Sequence, residues 1–228
     1  MKTFWIALLL IVAPSSYAAP LEAFKAEYSA EIDAGIELNA KATRTLTQID
    51  ATHWKLDIFI THALASLRET TTFEVKDNSQ VVPTHYEFLR KVLGSKRQAI
   101  LDFDWNKNRV HNLVQSKPWS MDIPADAQDK LSYQAQLLFD INKGAKTFTY
   151  PVAGGGKLED YRFRITGQEQ VKTPAGTFDT VVLKRVREED ANRETTIWLA
   201  PSLNYQIVKL EQIEKDDKTY RLLLESLK

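Results

Sequence analysis

Four histidines, His53, His62, His85 and His111, have the widest chemical reach in this sequence. A zinc site needs three or four converging ligands, and no two of these have His-x-x-x-His spacing. Scattered over separate strand-like segments, they are expected to be structural. Cysteine is absent, which excludes disulfides, thiolate metal sites, thiol nucleophiles and lipid attachment at a cysteine. A serine nucleophile needs a sharp turn such as Gly-x-Ser-x-Gly. No such run occurs, and Leu93-Gly94-Ser95-Lys96, with Arg97 beside it, reads as a charged hairpin. Asp102 and Asp104 alternate on one strand face, about 7 Å apart, within the roughly 5–10 Å that paired glycosidase carboxylates use. Solvated strand faces carry such pairs as a matter of course, so the structural reading is preferred. Gly154-Gly155-Gly156 has no Gly-Lys-Ser/Thr ending and is a loop rather than a phosphate cradle. The residues therefore assign no catalytic group, no metal ligand and no cofactor, and the balance leans against an enzyme.

The elements that would position any site are mostly strands. Phe24, Ala26, Tyr28, Ala30 and Ile32 alternate with Lys25, Glu27, Ser29 and Glu31. Trp54, Leu56, Ile58 and Ile60 alternate with Lys55, Asp57 and Thr61. Ala99, Leu101, Phe103 and Trp105 alternate with Asp102 and Asp104, and Tyr161, Phe163 and Ile165 with Arg162, Arg164 and Thr166. Each pattern puts one face on a core and one in water, as in antiparallel sheets. Further strands are expected at 36–49, 67–75, 84–88, 110–114, 148–152, 178–186, 194–199, 205–213 and 219–224. Turn chemistry separates them at 33–35, 76–78, 106–108 and 215–218. Glu188-Glu189-Asp190, with Arg185, Arg187 and Arg193, reads as a solvated hairpin end. From Asp126 to Asn142, Leu131, Ala135, Leu138 and Ile141 recur at helical spacing. Asp126 with Asp129 reads as a capped start and Gly144 as a stop. This amphipathic helix is expected to lie across the sheet and cover its apolar face. The fold class is mainly β: a curved antiparallel sheet or partly open barrel with one main helix packed on it.

The amino terminus reads as a secretory signal, residues 1–18. Lys2 is followed by an apolar run from Phe4 to Ala13, then Pro14, with Ser16 and Ala18 at the small positions before a cut after Ala18. The run is far shorter than the roughly 20 residues that span a bilayer, and no later stretch is long and apolar enough to cross one. Residues 19–228 are expected to form a single β-rich domain. The whole chain carries 30 basic and 30 acidic residues. That balance implies no strongly basic face and argues against nucleic acid as a partner.

Three runs resemble a known family: Gly167-Gln168-Glu169-Gln170-Val171-Lys172-Thr173-Pro174-Ala175-Gly176-Thr177-Phe178, the Ile197-Trp198-Leu199-Ala200-Pro201 run after it, and Asp129-Lys130-Leu131-Ser132-Tyr133-Gln134-Ala135-Gln136-Leu137 before it. In this order, behind a signal peptide and a Phe24-Ala26-Tyr28 strand, they resemble the bacterial domain-of-unknown-function family 3108 over nearly the whole mature chain. The resemblance implies an exported bacterial β protein without an established activity. It departs at Asn204 to Lys209, where the family pattern would place a proline and a basic residue. More loosely, the family is similar in fold to periplasmic lipoprotein carriers, a curved sheet holding an apolar cavity under helices.

Physically, Thr173 to Thr177 is a tight hairpin turn. Trp198 is expected in the core before Pro201 ends the pairing. Asp129 and Ser132 are expected to cap the helix rather than catalyse. The favoured expectation is a periplasmic, non-lipoprotein binding module of the cell envelope, holding a lipid or other apolar ligand on a concave face. That face is taken to be lined by Trp54, Leu56, Ile58, Leu101, Phe103, Tyr161, Phe163 and Trp198, with the helix as a lid. The alternatives are an envelope or glycan-related enzyme accessory, or a scaffold that pairs an envelope protein through sheet edges.

Overall fold

Alternation and turn chemistry set the architecture. The computed structural model describes residues 21–33, 37–77, 79–114, 117–187, 193–214 and 218–228. Residues 1–18 lie outside them, as do the centres of the turns expected at 33–35 and 215–218 and the acidic run 188–190. Fourteen antiparallel strands form one sheet. In chain order they are β1 (Phe24–Asp33), β2 (Glu37–Gln48), β3 (His53–His62), β4 (Ala65–Lys76), β5 (Gln80–Val92), β6 (Ser95–Asp104), β7 (Arg109–Val114) and β8 (Lys117–Asp122). After the helix α1 (Ser132–Asn142) come β9 (Thr147–Gly154), β10 (Lys157–Thr173), β11 (Gly176–Val186), β12 (Arg193–Ala200), β13 (Gln206–Glu214) and β14 (Thr219–Leu227). The spatial order runs β8 to β1, then β14 back to β9, so the chain's two ends pair in the middle and its two halves form the wings. The expected antiparallel sheet with one helix is the observed fold. The alternation did not reveal β8, a short strand carrying Pro118.

The wings curl toward each other without pairing β8 to β9. The segment between β8 and α1 crosses the gap. Gln128 donates its backbone N–H to the Pro151 carbonyl at 2.8 Å and accepts from Ala153 N–H at 2.8 Å, while its Nε2 donates to the Val81 carbonyl at 2.8 Å. Trp119 of β8 lies against Gly156 in the β9–β10 turn, where an added Cβ would stand 2.7 Å from the indole Cζ2. Gly156 also has φ +89°, whereas the adjacent Gly155 has φ +61° and open space around it. Gly156→Ala is therefore expected to cost about 1–3 kcal/mol more than Gly155→Ala, since both carry the left-handed penalty and only the first meets the ring. Chemical denaturation of the two variants checks this.

The helix differs from its expected place. It begins at Ser132, not near Asp126, which is exposed. It is also buried on both sides rather than along one stripe. Leu131, Ala135, Leu138 and Phe139 join one hydrophobic cluster, and Tyr133, Leu137 and Ile141 join the other. The helix is thus a plug between the wings, and its polar face is spent on local bonds. Gln136 accepts from Val81 N–H at 2.8 Å and donates to the Ser79 carbonyl at 3.1 Å, covering the start of β5 that β6 does not reach. No helix among the described residues is long and apolar enough to cross a membrane.

Candidate functional site

Register puts inward-facing residues in rows across the strands. One row passes through Leu46, Leu56, Thr71, Tyr86, Leu101 and Asn112. The next passes through Ala26, Arg44, Ile58, Glu69, Phe88 and Ala99. Polar residues interrupt both rows beneath the start of α1.

Asp129 is the hinge of this arrangement. Its Oδ1 accepts the backbone N–H of Leu131 at 2.7 Å and of Ser132 at 2.8 Å, while Ser132 Oγ accepts the Asp129 N–H at 2.8 Å. This reciprocal pair is the capping expected of Asp129 and Ser132, three residues past Asp126. Asp129 Oδ2 accepts from Thr71 Oγ1 at 2.5 Å, tying the helix to β4. The carboxyl is fully buried, and burial pushes it up to about 6 against the pull of these donors.

Glu69 stands one row below on β4, between Ile58 of β3 and Phe88 of β5. Glu69 keeps some exposed surface, yet desolvation among these apolar neighbours pushes its carboxyl up to about 7, opposed first by Lys130 and then by the Tyr86 hydroxyl. Tyr86 is 2% exposed, and its hydroxyl is directed to the Glu69 carboxyl without a close hydrogen bond. Burial, together with Glu69 and Asp129, raises its pKa. The other wing contributes Tyr161, edge-on to Tyr133 at 5.5 Å, with the Arg185 guanidinium 3.5 Å over its ring. Arg44 is buried, and among the described residues it has no carboxylate partner. It donates to Gln206 Oε1 at 3.0 Å and Gln134 Oε1 at 3.2 Å, lies over Phe24, and burial lowers its pKa.

Of the residues expected to line a concave face, Trp54, Leu56, Leu101 and Trp198 are buried in the first cluster, with Ile58 and Phe103 half-buried against it. Phe163 is buried in the second, with Tyr161 half-buried against it. Four of the eight border the polar group: Leu56 opposite Thr71, Ile58 opposite Glu69, Leu101 opposite Tyr86 and Tyr161 beside Tyr133. Phe103 stacks on Trp105 at 5.6 Å, and Lys209 Nζ lies 4.0 Å over Trp198. The sequence reading missed Glu69 and Tyr86. Their signal was an acid in the apolar register of Leu67, Thr71 and Phe73, and a tyrosine directly across from Thr71.

The histidines engage elsewhere: His85 with Asp102 at 2.6 Å, His53 with Asp50 at 2.9 Å and His111 with Ser120 at 2.8 Å. No group of three or more His, Cys, Asp or Glu among the described residues could hold a metal ion. Below the helix, Ile58, Ile60, Leu67 and Phe88 point inward by alternation yet are only half-buried. An acid and a tyrosine hydroxyl directed at each other above half-buried aliphatics can bind the polar end of an otherwise apolar molecule.

Residues 24–224 match the family described as "Protein of unknown function (DUF3108)". Among curated proteins no match was found. A β-barrel-like protein of the DUF1849 domain from Brucella abortus shares the fold, with TM-score 0.63 at 12% identity, covering 92% of this chain and 99% of that one. Two others align with lower scores. A candidate lipoprotein from Parabacteroides distasonis has TM-score 0.35 at 13% identity, covering 92% and 96%. A candidate outer membrane lipoprotein-sorting protein domain from Vibrio parahaemolyticus has TM-score 0.26 at 12% identity, covering 90% and 84%.

Proposed function

This chain belongs to the DUF3108 family, and on that footing we propose that it is an exported envelope protein that binds an apolar molecule in the concavity of its sheet, with Glu69 and Tyr86 holding that molecule's polar end. The observation that carries this reading is the half-burial of the inward-facing Ile58, Ile60, Leu67 and Phe88. Inward positions of a filled barrel are fully buried, as Leu56, Phe73 and Leu101 are in the adjacent rows. The half-buried inward side chains keep surface open to solvent, and each methylene that a guest buries against them is worth about 0.8 kcal/mol. Glu69, protonated over much of the range below about pH 7, is both donor and acceptor, and the Tyr86 hydroxyl beside it makes no close hydrogen bond within the protein. A guest with one hydroxyl, amide or carboxyl head on an acyl chain matches both.

The test is extraction of the mature protein, purified from the periplasm without detergent, followed by mass spectrometry. A stoichiometric acyl-chain molecule is expected. Leu67→Asp, at a half-buried position that tolerates the change, should lower its yield about tenfold or more, because a charge then faces the chain. A clean extract after exposure to total envelope lipids would sink the reading.

A further inference from the structure

Two neighbouring hairpins end in residues that the fold does not require. β3 turns into β4 at His62–Ala65 and β5 into β6 at Val92–Ser95, and Leu93 N–H donates to the Leu64 carbonyl at 3.1 Å, so the two tips are joined by a hydrogen bond. Leu64 is 62% exposed and Leu93 77%. Leu93 sits at φ +47°, followed by Gly94 at φ +82°. Turns with two left-handed residues favour Asn, Asp or Gly at the first position, and a leucine there is strained. Folding alone would select asparagine; an exposed, strained leucine points to a contact made outside the chain.

The flanks are cationic without relief. Register sets Arg90 opposite Arg97 and Lys91 opposite Lys96, with Arg68 above the exposed Phe59 ring on the neighbouring strands. The stretches 58–68 and 88–101 contain no aspartate or glutamate. Like charges directly opposite each other destabilise a sheet. One surface relieves both costs together: a bilayer leaflet rich in anionic headgroups, where cations meet phosphates and the leucines enter the boundary below them. An acidic protein would answer the charges and leave two leucines at the apices of the turns unexplained.

We propose that the joined tips of the β3–β4 and β5–β6 hairpins dock this protein on an anionic leaflet, with Leu64 and Leu93 inserted and Arg68, Arg90, Lys91, Lys96 and Arg97 against the phosphates. The tips lie at the mouth of the concavity. Leu67 of the inner face pairs with Arg90, and Ala65 with Val92, so docking would set the half-buried aliphatics facing the lipid. The inference stands independently of whether a guest is bound.

The experiment is co-sedimentation of the full mature chain with vesicles of phosphatidylcholine containing phosphatidylglycerol, and with phosphatidylcholine alone. Binding is expected to be about tenfold or more stronger to the anionic vesicles and to weaken steeply with salt. Leu93→Asn suits the left-handed turn, so it should keep or raise the thermal midpoint while reducing vesicle binding about tenfold. The double change Lys91→Gln with Lys96→Gln should do the same through charge. Equal binding to both vesicle types, or binding to anionic vesicles that ignores both variants, overturns the proposal. So does capture of an acidic envelope protein through these tips without any vesicle binding.

Discussion

Glu69→Gln raises the stability of this protein at pH 8 and leaves it almost unchanged near pH 4. The carboxyl lies inward on β4 between Ile58 and Phe88. Burial lifts it from an ordinary 4.5 to about 7, against Lys130 and with Asp129 pushing the same way. A folded-state acid with a raised pKa holds its proton longer than the unfolded chain does. Its contribution to stability is therefore fully present below about pH 4 and is lost as pH rises through about 7. The gap between 4.5 and about 7, at about 1.4 kcal/mol per pH unit, sets an upper bound of about 3.5 kcal/mol. For a chain of this size that corresponds to roughly 7–14 °C in thermal midpoint. Wild type should thus melt higher at pH 5 than at pH 8, and the glutamine variant should lose most of that difference. Asp129, raised to about 6, contributes in the same direction over a lower window and survives in the variant. Thermal unfolding of both proteins from pH 4 to 8 checks this. A wild-type midpoint that rises from pH 5 to 8, or a glutamine variant that keeps the full slope, would remove the lone acid from this account.

The second large effect is at Asp129. Alanine there should destabilise the protein by about 3–5 kcal/mol. It strips the acceptor from the Leu131 and Ser132 N–H groups and from the Thr71 hydroxyl, all in a region closed to water. Asparagine keeps an oxygen for the two backbone donors and should cost much less. Thr71→Val removes only the tie to β4 and should fall between wild type and alanine. Denaturant unfolding of the three variants gives the ranking. If alanine and asparagine cost the same, the cap is not what anchors the helix. If the alanine variant loses a bound guest while asparagine retains it, the plug also shapes the site.

The inner face shows where pattern reading succeeds and where it stops. Trp54, Leu56 and Leu101 were legible as inward residues because a strand reverses its face at every step, and one register error would put them all in water. The same parity marks Glu69 as inward. An acid within that parity was easy to overlook beside Thr70, Thr71 and Thr72, since a lone carboxyl on a strand is ordinarily solvated. Tyr86 could not be paired with Glu69 from sequence, because their approach depends on the register of β4 with β5, which slips at a bulge between Thr72 and Phe73. The capping of the helix by Asp129 and Ser132 was legible, whereas the run from Asp126 was read too long at its start for a related reason. Asp126 and Asp129 are equally good caps by type, and the choice fell to Asp129 because Thr71, 58 residues away, offers it a donor.

By itself the sequence determined the class of fold, most of its strands and the helix before β9, since alternation, turn residues and helical spacing are local properties that the backbone obeys wherever it lies. It also determined the cationic, acid-free hairpin and the lack of cysteine chemistry. Tertiary structure alone decided that the two chain ends pair in the middle of the sheet, that the helix is a plug between wings rather than a lid on one face, and that Glu69, Tyr86 and Asp129 share one space. Those outcomes are set by long-range register and by the desolvation of charged groups, energies that exist only once residues distant in sequence have been brought together.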